Sequence, residues 1–345
     1  MKKLITVTLV VALLVTLGAC AQQPAAPDPA PAPAEEAAPA PSTLEGPWGD
    51  VSNQVYYHIV ANAGTEYFKM HEDGFAAAGE FFGVQTMYVG PSDHNIDQVI
   101  SDFETAIAAK PNGIIAIGWD DSMIPVINKS VDSGIPVVTC DADIDGSKRV
   151  AFVGTSNFDA GKVMGEFIAQ EIGGQGKVAI LGIPTLSNIR ARADGIEAVW
   201  AENYPGIESL GLVDSQAESN AAAANIAAVI QAHPDIAAIC TIDSEAGAGA
   251  IMAIREAGKI GEIKAAAFDR GSEILAAVEE GIMSATIVQQ THLMPFYSLN
   301  ILFNLNNITI VQTKDDAAAG MPGIPSYIDT GVTICTKDSV EYFKN

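Results

Sequence analysis

Gly113-Ile-Ile-Ala-Ile-Gly118 runs straight into Trp119-Asp120-Asp121, and Ile135-Pro-Val-Val-Thr-Cys140 runs into Asp141-Ala142-Asp143. Between them lies 122–133, polar at its start, amphipathic along its length and closed by Gly134. A short Val/Ile-rich run without polar alternation reads as a strand covered on both faces. A glycine after an amphipathic stretch supplies the left-handed conformation that ends a helix. The unit is therefore strand, helix, strand, with polar residues at the carboxyl ends of both strands.

Working outward, the same unit recurs along most of the chain. Candidate strands cover 54–61, 84–89, 113–118, 136–140, 150–154, 177–182, 207–213, 236–242, 263–268 and 284–289. Candidate helices cover 65–82, 97–109, 122–133, 158–172, 188–202, 219–232, 245–257, 272–280 and 294–306. Regular alternation predicts an α/β fold with parallel sheets and helices on both faces. Ten strands over this length suit two doubly wound lobes better than one sheet, with the break near 155–158.

The N-terminus is different in kind. Lys2 and Lys3 precede an apolar run of 14 residues, Leu4 to Leu17, which is short for a membrane span and typical of an export signal. It ends in Leu17-Gly18-Ala19-Cys20, which is similar to the bacterial lipobox. On that reading 1–19 is a signal peptide and Cys20 is lipidated, anchoring the protein to the outer face of the cytoplasmic membrane. Of the 27 residues from 21 to 47, 17 are Ala or Pro, so 20–47 is expected to be an extended tether.

Charge excludes other classes. The chain of 345 residues carries 42 Asp and Glu against 18 Lys and Arg, a formal net charge of −24. A surface that tracks nucleic-acid phosphates needs a basic stripe, and none is present. After Cys20 three cysteines remain, Cys140, Cys240 and Cys335, at spacings that give no disulfide framework; either buried free thiols or one pair plus one free thiol fits the count. The five histidines are scattered, with no helical pair and no cysteine partner at metal spacing, so no metal site or cofactor is predicted. Gly173-Gly174-Gln-Gly176-Lys177 lacks the Ser or Thr of a phosphate loop and precedes a strand, and no Gly-x-Ser-x-Gly elbow occurs, so the sequence predicts no enzyme.

In open parallel sheets ligands sit beyond the carboxyl ends of the strands. Those positions hold Asn62, Tyr67, Phe68, Trp119, Asp120, Asp141, Arg190, Arg192, Asp243, Glu245, Asp269, Arg270, Gln289 and Gln290. Carboxylates, guanidinium and amide groups interleaved with aromatics suit a sugar: hydroxyls donate and accept, and the C–H face packs on rings. Asp or Asn after a strand also caps the helix that follows, and either role suits each residue taken singly.

From about Gln54 onward the chain resembles the ribose/galactose-type periplasmic sugar-binding proteins of bacterial ABC importers. The motifs that carry the resemblance are Ile135-Pro-Val-Val-Thr-Cys-Asp141, Phe152-Val-Gly-Thr-Ser-Asn157 with Ala160-Gly161, and Arg190-Ala-Arg-Ala-Asp-Gly195. His233-Pro-Asp235, Ala267-Phe-Asp269 and Ser284-Ala-Thr-Ile-Val-Gln289 complete the set, in the family's order. The resemblance implies a type I periplasmic binding protein-like fold with a three-segment hinge: 48–156 and 290–322 in one lobe, 157–289 and 323–345 in the other. The third crossing is then expected near 321–327, with 327–335 adding a strand to the second lobe. The resemblance also implies a ligand set. Tyr67 and Phe68 would sandwich the sugar, and Asp141, Arg192, Asp243, Asp269 and Gln289 would hold its hydroxyls; apart from that set, Trp119 after the third strand is expected to supply a stacking wall. It implies hinge closure on a monosaccharide and delivery by a monomer to an ABC permease driven by a cytoplasmic ATPase. The chain departs from the ribose-type pattern at Ala142, where an Arg follows the strand-end Asp, at Gln216, where an aromatic stands, and at Gly64-Thr-Glu66, where an Asn-Pro pair stands. These departures point away from ribose itself. An alternative role for the same cleft is a surface sensor that hands a furanosyl signal or nucleoside to a receptor.

Overall fold

The computed structural model describes residues 48–344, apart from 145, 309–311 and 317. The signal peptide, Cys20 and the tether lie outside the described residues.

The first lobe begins β1 (Val55–Ile59), α1 (Glu66–Phe82), β2 (Gln85–Val89), α2 (Ile96–Ala109) and β3 (Gly113–Ala116). A 3-10 turn, Asp121–Met123, leads into α3 (Ile124–Asp132), then β4 (Val137–Cys140) and β5 (Ala151–Gly154). The chain crosses over to α4 (Asn157–Glu171), β6 (Gln175–Gly182), α5 (Ser187–Asn203), β7 (Gly206–Asp214) and α6 (Ser219–Ala232). The second lobe continues with β8 (Ile236–Thr241), α7 (Ser244–Glu256), β9 (Lys264–Phe268), α8 (Ser272–Glu280) and β10 (Ala285–Gln289). The chain then returns as α9 (Leu293–Asn307), which packs on α1, and ends in β11 (Tyr327–Asp329), β12 (Val332–Thr336) and a short 3-10 turn.

The strands form two sheets of six, ordered β11-β5-β4-β3-β1-β2 and β12-β10-β9-β8-β6-β7. All pairings are parallel except β10 with β12. The two sheets are thus built alike, and β4 in one holds the place of β9 in the other. Central β3, β4 and β5 are buried at every residue, as a sheet covered on both faces requires, while the edge strand β2 is half-exposed. Helix α1 shows why the local sequence commits. Thr65 Oγ1 accepts from Phe68 N, Gly83 closes the helix at φ 70°, and Phe68, His71, Phe75, Ala78 and Phe82 form its buried stripe.

One boundary differs from the sequence reading. Residues 323–345 do not all belong to the second lobe, because Tyr327–Asp329 pairs with β5 in the first sheet, Tyr327 opposite Phe152. Only Val332–Thr336 joins the second sheet. The run is cut at Asp329-Thr330-Gly331: Gly331 takes φ 72° and its N–H donates to Asp329 Oδ1 at 2.9 Å. The same Oδ1 accepts from Ser156 N at 2.9 Å, tying the third crossing to the first. A turn of this kind ends one strand and starts another, so the crossing falls at Thr330 and Gly331.

Close backbone packing sets α4 against α5. A Cβ on Gly161 would lie 2.1 Å from Arg192 O, and one on Gly195 would lie 2.0 Å from Phe158 O. Glycine is needed at both positions because backbone, not a yielding side chain, fills the space. Trp200 Nε1 donates to Gly165 O at 2.9 Å across the same contact. The contact fixes the helix that carries Arg192.

Candidate functional site

The carboxyl ends of β4 and β9 carry the two residues most clearly marked by the backbone. Asp141 sits at φ 65° and Asp269 at φ 70°, in the left-handed region that costs a non-glycine residue about 1–2 kcal/mol. Each is pinned by the neighbouring strand: Asp141 N donates to Val153 O at 3.0 Å, and Asp269 N donates to Ile287 O at 2.9 Å. Ala142 N donates back to Cys140 O at 2.7 Å, so the chain folds tightly around Asp141. The same left-handed placement recurs in both lobes, at equivalent strands.

Tyr67, in the first turn of α1, donates from Oη to Asp141 Oδ1 at 2.5 Å. Its ring meets Phe68 edge-on, with centroids 5.3 Å apart. Phe68 is 7% exposed and belongs to the first-lobe core, so Tyr67 is the more open of the pair. From the second lobe, Arg192 lays its guanidinium over the Phe268 ring, 4.1 Å from the centroid. Its Nε donates to Asn157 Oδ1 at 2.8 Å and its Nη1 to Ile242 O at 2.9 Å. The fork is thus held at two points and stacked on a third. Asp269 accepts from Gln289 Nε2 at 3.0 Å and from Ser244 Oγ at 2.9 Å.

The electrostatics bring the two lobes together. Loss of bulk water pushes the Asp141 carboxyl up to about 6; its hydrogen bond from Tyr67 and the Arg192 charge oppose this, and the Asp269 charge adds to it. The Tyr67 phenol is pushed well above its usual range, first by burial and then by the charges of Asp141 and Asp269. Each lobe therefore feels the other's ionised groups across the cleft. At the rim Arg270 Nε donates to Met70 Sδ at 3.0 Å, a direct contact between the lobes.

The remaining strand-end residues divide between the cleft and capping. Asp243 is the N-cap of α7: its Oδ1 accepts from Ala246 N at 2.7 Å, and its Oδ2 accepts from Ser215 Oγ at 2.9 Å. It still lies within electrostatic reach of Arg192, and burial raises its carboxyl above the usual range. Trp119 packs edge-on to His94, and its buried Nε1 has no partner among the described residues. Gln289 is 7% exposed and serves Asp269. Asp120 caps the 3-10 turn, accepting from Ser122 N at 2.8 Å. Asp143 pairs with Arg149, Arg190 in the first turn of α5 is exposed and donates to Pro184 O in the loop before that helix, and Gln290 bonds Thr333. Sequence reasoning missed Asn157 and Ser244, which orient Arg192 and Asp269; each stands at the start of a helix directly after a strand end, where either role was open. It also missed a buried group made of His58, His71 and Cys140, whose members are separated by 13 and 69 residues.

Comparison with known proteins places the fold. The chain belongs to the periplasmic binding protein domain family, which matches residues 56–307. Two of its strongest likenesses are to solved structures. A sugar-binding protein of a sugar ABC transporter from Bacillus halodurans has a TM-score of 0.81 at 32% identity, covering 85% of this chain and 100% of that one. AraP, an arabinose binding protein from Geobacillus stearothermophilus, has a TM-score of 0.80 at 29% identity, covering 85% and 100%. The ribose import binding protein RbsB of Bacillus subtilis is 27% identical over 237 residues, 68% of this chain and 76% of its own length. The chain is a two-lobed extracytoplasmic solute-binding protein and not an enzyme.

Proposed function

We propose that the chain captures a monosaccharide, or a similarly small polyhydroxylated ligand, in the cleft between its lobes and delivers it to an ABC permease. The observation that carries this reading is the set of Tyr67 and Asp141 on one lobe facing Arg192 and Asp269 on the other. A carboxylate takes two hydroxyl donors, and a guanidinium supplies donors in a fixed plane. A ring hydroxylated on several sides satisfies both at once only when the lobes are together, so the ligand favours the closed state. Tyr67 supplies the face for the C–H surface of the ring, and Trp119 Nε1 is a donor awaiting an acceptor. Relatives described as binding ribose and arabinose support a sugar of that size. Ala142, in place of the Arg of the ribose-type pattern, removes one donor and shifts the preference from ribose. Lipidation at Cys20, tethering by 20–47 and action as a monomer complete the reading, with a membrane permease and its ATPase as partners.

A thermal-shift screen of the full chain against pentoses, hexoses, polyols and nucleosides tests it. A ligand that binds only the folded state raises the melting temperature with concentration, by about 2.7 kcal/mol of stability at a hundred times its Kd. At least one sugar is expected to do so. A screen in which only nucleosides, or no compound, shifts the transition contradicts the sugar assignment.

A further inference from the structure

The buried histidine–cysteine group lies directly beneath the aromatic floor of the cleft. His58 on β1, His71 on α1 and Cys140 at the end of β4 are all fully buried, and one donor atom from each falls within 4.8 Å of the others. His58 Nε2 is 3.1 Å from His71 Nδ1, and Cys140 Sγ is 4.0 Å from the same Nδ1. We propose that these three residues form a three-coordinate Cu(I) site.

Geometry favours a trigonal ion. Metal–nitrogen bonds of about 2.0 Å and a metal–sulfur bond of about 2.3 Å set trigonal donors about 3.5–3.7 Å apart. The separations of 3.1 and 4.0 Å lie on either side of that value and the third pair of donors lies within 4.8 Å, so adjustments of up to about 1 Å close the site. The outer shell is already of the kind that ligating histidines use. His58 Nδ1 faces the backbone carbonyl of Ile115 at 3.5 Å, which places its proton there and leaves the Nε2 lone pair toward the group. In the metal-free protein His71 Nδ1–H donates to His58 Nε2, and His71 Nε2, buried with no partner among the described residues, is the nitrogen that takes this proton when Nδ1 binds an ion.

Charge selects the ion. The group includes no carboxylate, and Phe68, Phe75, Tyr67 and Tyr88 surround it with ring centroids 5.4–5.5 Å from the imidazoles. One thiolate neutralises one Cu(I), so the three ligands and the ion together carry no net charge beside the carboxylate of Asp141, which follows Cys140. Zn(II) would leave an uncompensated positive charge and lack the fourth ligand its structural sites use. Binding is a simple exchange without redox change. The Cys140 S–H proton leaves to solvent, the S–Cu bond forms, and the His71 proton moves from Nδ1 to Nε2. No sequence spacing signals this group, because the three residues meet only through the register of β1, β3 and β4 and the pitch of α1.

The test is an anaerobic Cu(I) titration of the full chain against bicinchoninate, with Cys20→Ser in every sample so that this thiol does not contribute. The expected result is one Cu(I) retained per chain, a near-ultraviolet thiolate-to-copper band, and an X-ray absorption spectrum with two nitrogens and one sulfur. Cys140→Ser should weaken retention by more than about 100-fold, beyond the loss that removing an outer-shell partner brings. Cys335→Ser, outside the group, should leave it unchanged. Failure of the folded chain to retain Cu(I), equal affinity in Cys140→Ser and Cys335→Ser, or absence of sulfur from the spectrum overturns the proposal. Because the spectrum is taken on the chain with Cys140 intact, it decides even if Cys140→Ser does not fold.

Discussion

Arg192→Ala is expected to weaken sugar binding by about 30-fold to several thousand-fold. Arg192 is the one cation among the described residues that is almost fully buried, at 4% exposure. Its Nε and Nη1 are committed to Asn157 and Ile242, and its plane is stacked on Phe268, so the guanidinium is fixed before any ligand arrives. Truncating one partner of a buried, hydrogen-bonded charged contact costs about 2–5 kcal/mol, and each 1.4 kcal/mol is tenfold in Kd. Arg192→Lys is expected to recover little, since an ammonium reproduces neither the fork nor the stacking. Titration calorimetry, at a temperature where circular dichroism shows each variant folded, measures the effect. A Kd unchanged in Arg192→Ala would remove this residue from the site.

Asp141→Asn separates stability from binding. In the wild type the Asp141 carboxyl rises from 3.8 to about 6 in the folded state, chiefly through loss of bulk water. The folded protein therefore holds this proton more tightly than the unfolded chain. The stability tied to it is present below pH 4, declines as pH rises through 6, and is absent at neutral pH, where a charged carboxylate stays buried. Asparagine keeps an oxygen for the Tyr67 hydroxyl and tolerates a left-handed backbone, so it removes the charge with little else. The ligand-free variant is expected to melt higher than wild type at pH 7.5 and to lose the decline between pH 4 and 6. Its sugar affinity should fall by about 10- to 150-fold, the worth of a hydrogen bond to a charged acceptor, about 1.5–3 kcal/mol. Melting curves across pH and calorimetry on the same samples give both readings. A variant that is no more stable at neutral pH and binds as well as wild type contradicts this role for Asp141.

Such a trade of stability for function explains what the sequence could and could not convey. Strands such as Val137–Cys140 and helices such as Ser219–Ala232 were legible because buried parallel strands are apolar throughout and helices end in glycine or at a polar cap. The third crossing was misplaced because the run 327–335 looks continuous until Asp329 Oδ1 is seen to accept from both Ser156 N and Gly331 N. Position after a strand singled out Asp141 and Asp269 as candidates, with Arg192 on α5, the helix that follows β6. It could not distinguish them from Asp120, Asp143 or Arg190, because capping and ligand binding select the same residue types at the same place. What separates them is three-dimensional: the positive φ of Asp141 and Asp269, and the stacking of Arg192 on Phe268. The histidine–cysteine group was illegible for a related reason, since its members share neither a helix face nor a loop.

The central claim is that a sugar binds between the lobes, on residues contributed by both. A crystal structure of the chain grown with the sugar that most raises its melting temperature tests this directly. The account predicts electron density for one sugar ring against Tyr67, with hydroxyls on Asp141 from the first lobe and on Arg192 and Asp269 from the second. A sugar held by one lobe alone, or bound away from these residues, would contradict it.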